Sequence, residues 1–140
     1  MILIDTNVVS ELMRPAPAGA VVAWFGRQDA SGLYLSAVSE AELRRGVAIL
    51  PGGRRRAALL AAVEAMVAED FEDRVLPFDS AAAAAFAVVF AERRGAGQAI
   101  SFPDCQIAAT ARAHGAAVAT RDAGGFAGCG IVVIDPWSDG

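Results

Sequence analysis

The sequence predicts an α/β protein with a mostly parallel sheet covered by helices on both faces, and two observations carry that prediction. Short apolar runs at Ile2–Ile4, Leu33–Leu35, Arg74–Pro77, Ala116–Ala119 and Ile131–Ile134 have the length of buried strands. Longer stretches with apolar residues at helical spacing lie between most of them. Strands that alternate with helices build βαβ units, and those units pair in parallel.

In chain order, Met1-Ile2-Leu3-Ile4 stops abruptly at Asp5-Thr6-Asn7, the pattern of a strand buried on both faces that ends where polar groups converge. Thr6 to Met13 has helical spacing and is ended by Arg14-Pro15-Ala16-Pro17, because proline cannot continue a helix. Ala18 to Arg27 forms a second short helix, and Leu33–Ser36 a strand. Ser39 begins a helix through Leu43, Val47 and Leu50, ended by Pro51-Gly52-Gly53. Arg54 to about Glu72 forms a longer helix on Leu59, Leu60, Val63, Met66 and Val67. Asp79 caps an alanine-rich helix that runs to Arg94 and ends at Gly95. Ser101-Phe102-Pro103-Asp104 opens the last predicted helix, which stops at Gly115 ahead of the strand of small residues at 116–119.

A chain of 140 residues, 55% of them apolar, has the size and core of a single domain spanning 1–140. It has no apolar run of membrane-spanning length, and an acid at position 5 interrupts any leader-like start. A soluble, cytoplasmic protein without a membrane partner is expected. Cys105 and Cys129 lack the spacing of a zinc site and read as core thiols. Net charge is −4, and all twelve basic residues are arginine. The absence of lysine excludes a P-loop, a Schiff base and receiver-type pockets that pair aspartates with a lysine.

Four acids stand where chemistry can gather. Asp5 and Asp122 each follow a predicted strand, the edge at which ligands bind in open α/β sheets. Asp104 lies in line with Ile107, Ala108 and Ala111 in the first turn of its helix, and Glu42 borders the apolar stripe of its own. Three of them also have a plain structural use: Asp5 and Asp104 suit helix N-termini, and Asp122 suits a turn before Ala123-Gly124-Gly125. Glu40 faces elsewhere and can pair with Arg44. If the four converge they repel one another, and a divalent cation resolves the repulsion. Oxygen ligands without His or Cys suit Mg²⁺ or Mn²⁺, which polarises a phosphoryl oxygen and activates water. The lone histidine, His114, reads as a dipole partner at a helix end.

The segments Ile4-Asp5-Thr6-Asn7-Val8-Val9-Ser10-Glu11-Leu12, Glu42-Leu43-Arg44-Arg45-Gly46, Asp104-Cys105-Gln106-Ile107-Ala108-Ala109 and Thr120-Arg121-Asp122, in this order, resemble the PIN-domain family. Leu50-Pro51-Gly52-Gly53-Arg54-Arg55-Arg56, Arg74-Val75-Leu76-Pro77-Phe78-Asp79 and the ending Asp135-Pro136-Trp137 are similar to its FitB-like, VapC-type toxin branch. The resemblance covers nearly the whole chain. It implies a three-layer α/β/α fold and a Mg²⁺- or Mn²⁺-dependent endoribonuclease. It also implies a homodimer, neutralised by a small antitoxin that reaches the acidic pocket with a basic side chain. By motif match the metal-site acids are Asp5, Glu42, Asp104 and Asp122, with Thr6, Asn7 and Thr120 as polar neighbours. Glu42 either binds the metal or acts as general base. Arg44, Arg45, Arg93 and Arg94 are candidate contacts to the RNA backbone or, equally, solvated helix faces. Phe102-Pro103 and Cys105 depart from the small or aliphatic residues more familiar around that aspartate. Two other outcomes stay open on the residues alone: a hydrolase of DNA or phosphomonoesters using the same acids, and a non-catalytic α/β binding module whose acids are caps and which partners a DNA-binding regulator.

Overall fold

The computed structural model describes residues 1–138. Its elements are β1 (Ile2–Ile4), α1 (Thr6–Leu12), α2 (Gly19–Gly26), β2 (Leu33–Ser36), α3 (Ala37–Ala48) and α4 (Arg54–Ala65). They are followed by β3 (Val75–Leu76), α5 (Ser80–Gly95), α6 (Phe102–His114), β4 (Ala117–Ala119), α7 (Ala123–Phe126) and β5 (Val133–Ile134). The five strands form one sheet in the order β3-β2-β1-β4-β5, with every pairing parallel.

β1 lies at the centre because it is apolar on both faces. Ile4 aligns with Leu35 on one side and Ala119 on the other. Leu3 and Ile4 are fully buried but belong to different layers. Ile4 packs in the layer of Val8, Val21, Trp24, Leu43 and Val63, from α1 to α4. Leu3 packs in the layer of Val89, Ile107, Ala111 and Phe126, from α5 to α7. Each such side chain contributes about 1.5–3 kcal/mol, and the two layers make the α/β/α arrangement. Parallel pairing points the carboxyl ends of β1, β2 and β4 the same way, so Asp5, Ser36 and Thr120 emerge along one edge.

The departures from expectation have local causes. α3 starts at Ala37 rather than Ser39, because Ser36 at the end of β2 accepts the N–H of Val38 as the cap. The helix expected to run to Glu72 keeps α geometry only to Ala65, then widens into a π turn over Met66–Asp70. There Phe71 N–H donates to Met66 O at 3.0 Å, and the wide turn brings both Met66 and Phe71 into the core. The outer strands β3 and β5 shrink to two residues each. α7 went unforeseen, since Ala-Gly-Gly-Phe has poor helix propensity; the Asp122 cap and the buried Phe126 hold it. Phe102 and Pro103 occupy the first turn of α6, where proline's missing N–H has no partner to lose. Cys105 and Cys129 are buried free thiols, and burial pushes the Cys105 thiol up to about 11. Among the described residues no helix is long and apolar enough to cross a membrane.

Candidate active site

Asp5 is only 5% exposed, which is unusual for a carboxylate. Its backbone N–H continues the ladder to Ala119 O at 2.9 Å. One carboxylate oxygen accepts the N–H of Thr6 at 2.8 Å and caps α1. The other accepts the Thr120 hydroxyl at 2.8 Å, from the neighbouring strand's end. That hydroxyl in turn accepts the Asn7 side-chain amide at 3.3 Å and the N–H of Asp122 at 3.0 Å. Residues far apart in sequence are thereby locked into one polar cluster.

Glu42 enters from α3. The hydroxyl of Thr6 donates to its Oε1 at 2.9 Å, which orients the carboxylate beside Asp5. Asp122 is exposed at the start of α7 and accepts Gly125 N–H at 3.0 Å. Asp104 comes from the first turn of α6. Only half of the capping box forms there: Asp104 N–H donates to Ser101 Oγ at 3.2 Å, and the carboxylate faces the cleft. The four acids, with Thr6, Asn7 and Ser10, line a cavity of about 300 Å³ at the sheet's carboxyl edge. Thr120 lies just beneath it, fully buried.

Burial is the main influence on Asp5. It pushes the carboxyl up to about 6, with the nearby Asp104 and Glu42 charges pushing the same way and the Thr120 and Thr6 hydrogen bonds pulling it down. A carboxylate held against its solvation in this way is short of positive charge. The donors facing the cleft are hard oxygens from Asp, Glu, Thr, Asn and Ser, which fits a hard divalent cation rather than zinc. Among the described residues no group of three or more Asp, Glu, His or Cys stands close enough together to hold a metal ion as the side chains lie.

The arginine expectations need correction at two positions. Arg93 is buried, 4% exposed, and cannot reach RNA. Its guanidinium donates to Ala127 O at 2.7 Å, Ala99 O at 2.6 Å and Gly124 O at 3.3 Å. Arg44 is engaged by Glu40 at 2.7 Å and by Glu64 of α4 at 2.6 Å, so two carboxylates already neutralise it. Arg45 and Arg94 remain exposed. Glu40 pairs with Arg44 as its helix position predicted. Glu11, also buried, holds the chain entering α2 by accepting the N–H of Ala18 at 3.0 Å and lies outside the cleft. Sequence reasoning passed over Ser10, which lines the cleft one turn after Thr6; the i, i+4 spacing carries that signal.

The fold and cleft define a parallel α/β protein that gathers acids from β1, α3, α6 and the end of β4 into an oxygen-donor site. Comparison with known proteins gives that class a family. The PIN domain family model matches residues 2–128. VapC ribonuclease Y4jK of Sinorhizobium fredii is 45% identical over 137 residues, covering 98% of each chain. Toxin FitB of Neisseria gonorrhoeae is 43% identical, covering 99% of this chain and 100% of the relative. A chain in the crystal structure of FitAcB from N. gonorrhoeae superposes with a TM-score of 0.92 at 43% identity, covering 98% of this chain and 99% of that one. The chain belongs to the PIN-domain family, in the branch that holds the VapC-type and FitB toxins.

Proposed function

We propose that this protein is a metal-dependent endoribonuclease, the toxin of a toxin–antitoxin pair. The observation that carries the proposal is Asp5: a buried carboxylate, pushed up to about 6, facing a cleft it shares with Glu42, Asp104 and Asp122. Asp5, Asp104 and Asp122 would hold Mg²⁺ or Mn²⁺, with Glu42 alongside. When bound, the ion supplies neutralising charge and Lewis acidity toward a phosphoryl oxygen. The protein's own groups do the rest. Thr120 and the Thr6 N–H fix both oxygens of Asp5, and the Thr6 hydroxyl holds Glu42 Oε1. The remaining oxygen of Glu42 then accepts a proton from the water that attacks the phosphodiester.

A second feature supports the antitoxin. Beside the cleft, and sharing Thr6, Ser10 and Glu42 with it, runs a groove of about 550 Å³ whose walls include Met13, Leu43, Val47 and Leu59. An amphipathic segment of a small partner would lay its apolar side there and place a basic side chain over the acids, replacing the metal's charge. The relatives named ribonuclease and toxin lend the same direction. A homodimer in the cytoplasm belongs to this proposal.

The test is incubation of defined RNAs with Mg²⁺ or Mn²⁺, run beside Asp5→Asn. Cleavage by the wild type alone is expected; cleavage by both points to a contaminant. A non-catalytic module is favoured by one observation, that Asp5 and Asp122 do cap helices. Melting with Mn²⁺ and with chelator separates the two, because a shared metal site gains stability by linkage, about 2.7 kcal/mol at a hundredfold excess over Kd, whereas separate caps gain none.

A further inference from the structure

Correction of Arg44 and Arg93 leaves open which cation beside the cleft meets the substrate. Arg121 stands between Thr120, whose hydroxyl holds Asp5, and Asp122, which lines the cavity. Its backbone N–H donates to Asn7 Oδ1 at 3.3 Å, and Asn7 also lines the cavity. The side chain is exposed and rests over an aromatic ring: the guanidinium carbon lies 4.9 Å from the centroid of the Trp137 ring. Trp137 is itself anchored, partly buried against the core and donating its N–H to Asp135 Oδ1 at 2.9 Å. Among the described residues no carboxylate forms an ion pair with Arg121, although Asp122 is its neighbour in the chain.

A cation–π contact engages the charge of the guanidinium and consumes none of its five N–H donors. They stay available to an anion, and a side chain biased toward one position loses less freedom on binding. We propose that Arg121, laid on Trp137, grips a backbone phosphate of single-stranded RNA at the rim of the acidic cleft, with Trp137 as its positioning residue. This rests on the ribonuclease proposal and gives the ending Asp135-Pro136-Trp137 a task in the site. A single cation placed here also offsets the repulsion that four acids exert on a polyanion.

The test uses the full chain and a short fluorescein-labelled oligoribonucleotide, with anisotropy read in chelator so that nothing is cut. Salt is varied from about 50 to 200 mM. Arg121→Ala should weaken binding about tenfold, as expected for losing a charge-assisted contact. It should also flatten the slope of log K against log salt by about 0.7, the share of one phosphate contact on a single strand. Arg121→Lys should keep the slope while losing affinity. Trp137→Leu should weaken binding with the wild-type slope, and Trp137→Phe should restore much of it. Wild-type affinity and slope in Arg121→Ala would overturn the proposal. So would equal losses of melting temperature in Arg121→Ala and Trp137→Leu with RNA binding intact, which would make the pair a structural staple. Wild-type cleavage of the RNA with Mn²⁺, measured in parallel, separates the two levels: cleavage with unaltered Arg121→Ala binding removes Arg121 alone, whereas a wild type that neither binds nor cuts overturns both.

Discussion

Asp5 holds its proton up to about pH 6, whereas the same side chain in an unfolded chain titrates near 3.8. The folded state therefore binds that proton more tightly. The resulting stabilisation is complete below the unfolded value and is lost as pH rises through about 6, an effect of at most about 3 kcal/mol. In chelator, the stability difference between Asp5→Asn and wild type should grow in the variant's favour from about pH 5 to about pH 7.5. Denaturant melts at the two pH values measure it, and a variant severely destabilised at both would make Asp5 a structural residue. Mn²⁺ affinity should rise over the same interval, because the ligand must shed its proton. Glu42 and Glu40 give a second contrast at this scale. Glu42 takes the Thr6 hydroxyl in the cleft, whereas Glu40 is spent on Arg44. Glu42→Gln keeps shape and should lower turnover by roughly 10², while Glu40→Gln should leave it almost untouched. Equal rates on one RNA at saturating Mn²⁺ would remove Glu42 from the site.

Among the elements, two arginines act as ties rather than as substrate contacts. Arg93 joins the end of α5 to the carbonyls of Ala99, Gly124 and Ala127 and so fixes α7, the helix whose cap is Asp122. Arg93→Ala should cost about 2–4 kcal/mol, because three carbonyls lose their donor in a buried place. It should also blunt cleavage by loosening Asp122. Chemical denaturation with a parallel activity assay checks both, and an unchanged midpoint would count against the tie. Arg44 links α3 to Glu64 on α4 across a partly exposed seam, so Arg44→Ala should leave the cleft's chemistry intact. Neither role was legible in sequence. Arg93-Arg94 near the end of an alanine-rich helix looks the same whether it meets solvent or a loop folded back from thirty residues later. Helix periodicity did place Glu42 and Glu40 on different faces, because that depends only on residues within one turn.

For the molecule as a whole, apolar surface remains after both layers are filled. Ile49, Phe102 and Val132 keep 77%, 64% and 68% of their surface exposed. Such side chains mark an interface where they join in one patch, and for the proposed homodimer a dimer at micromolar concentration is the expected result by light scattering. A monomer under those conditions would count against the homodimer. Excess Mn²⁺ should weaken antitoxin binding if a basic side chain of the partner takes the metal's place, and an unaffected Kd would remove that competition.

The sequence by itself determined the strands, most of the helices, the parallel sheet and the candidacy of Asp5, Glu42, Asp104 and Asp122. Those follow from patterns of local period: apolar runs, helical stripes, caps and polar residues at strand ends. Tertiary structure alone decided that Thr120 hydrogen-bonds Asp5 from 115 positions away, that Arg93 is buried, and that Arg121 rests on Trp137. Parallel strands are joined by long crossovers, so residues that meet at the sheet's carboxyl edge share no local spacing. Their partners are fixed only when the layers pack.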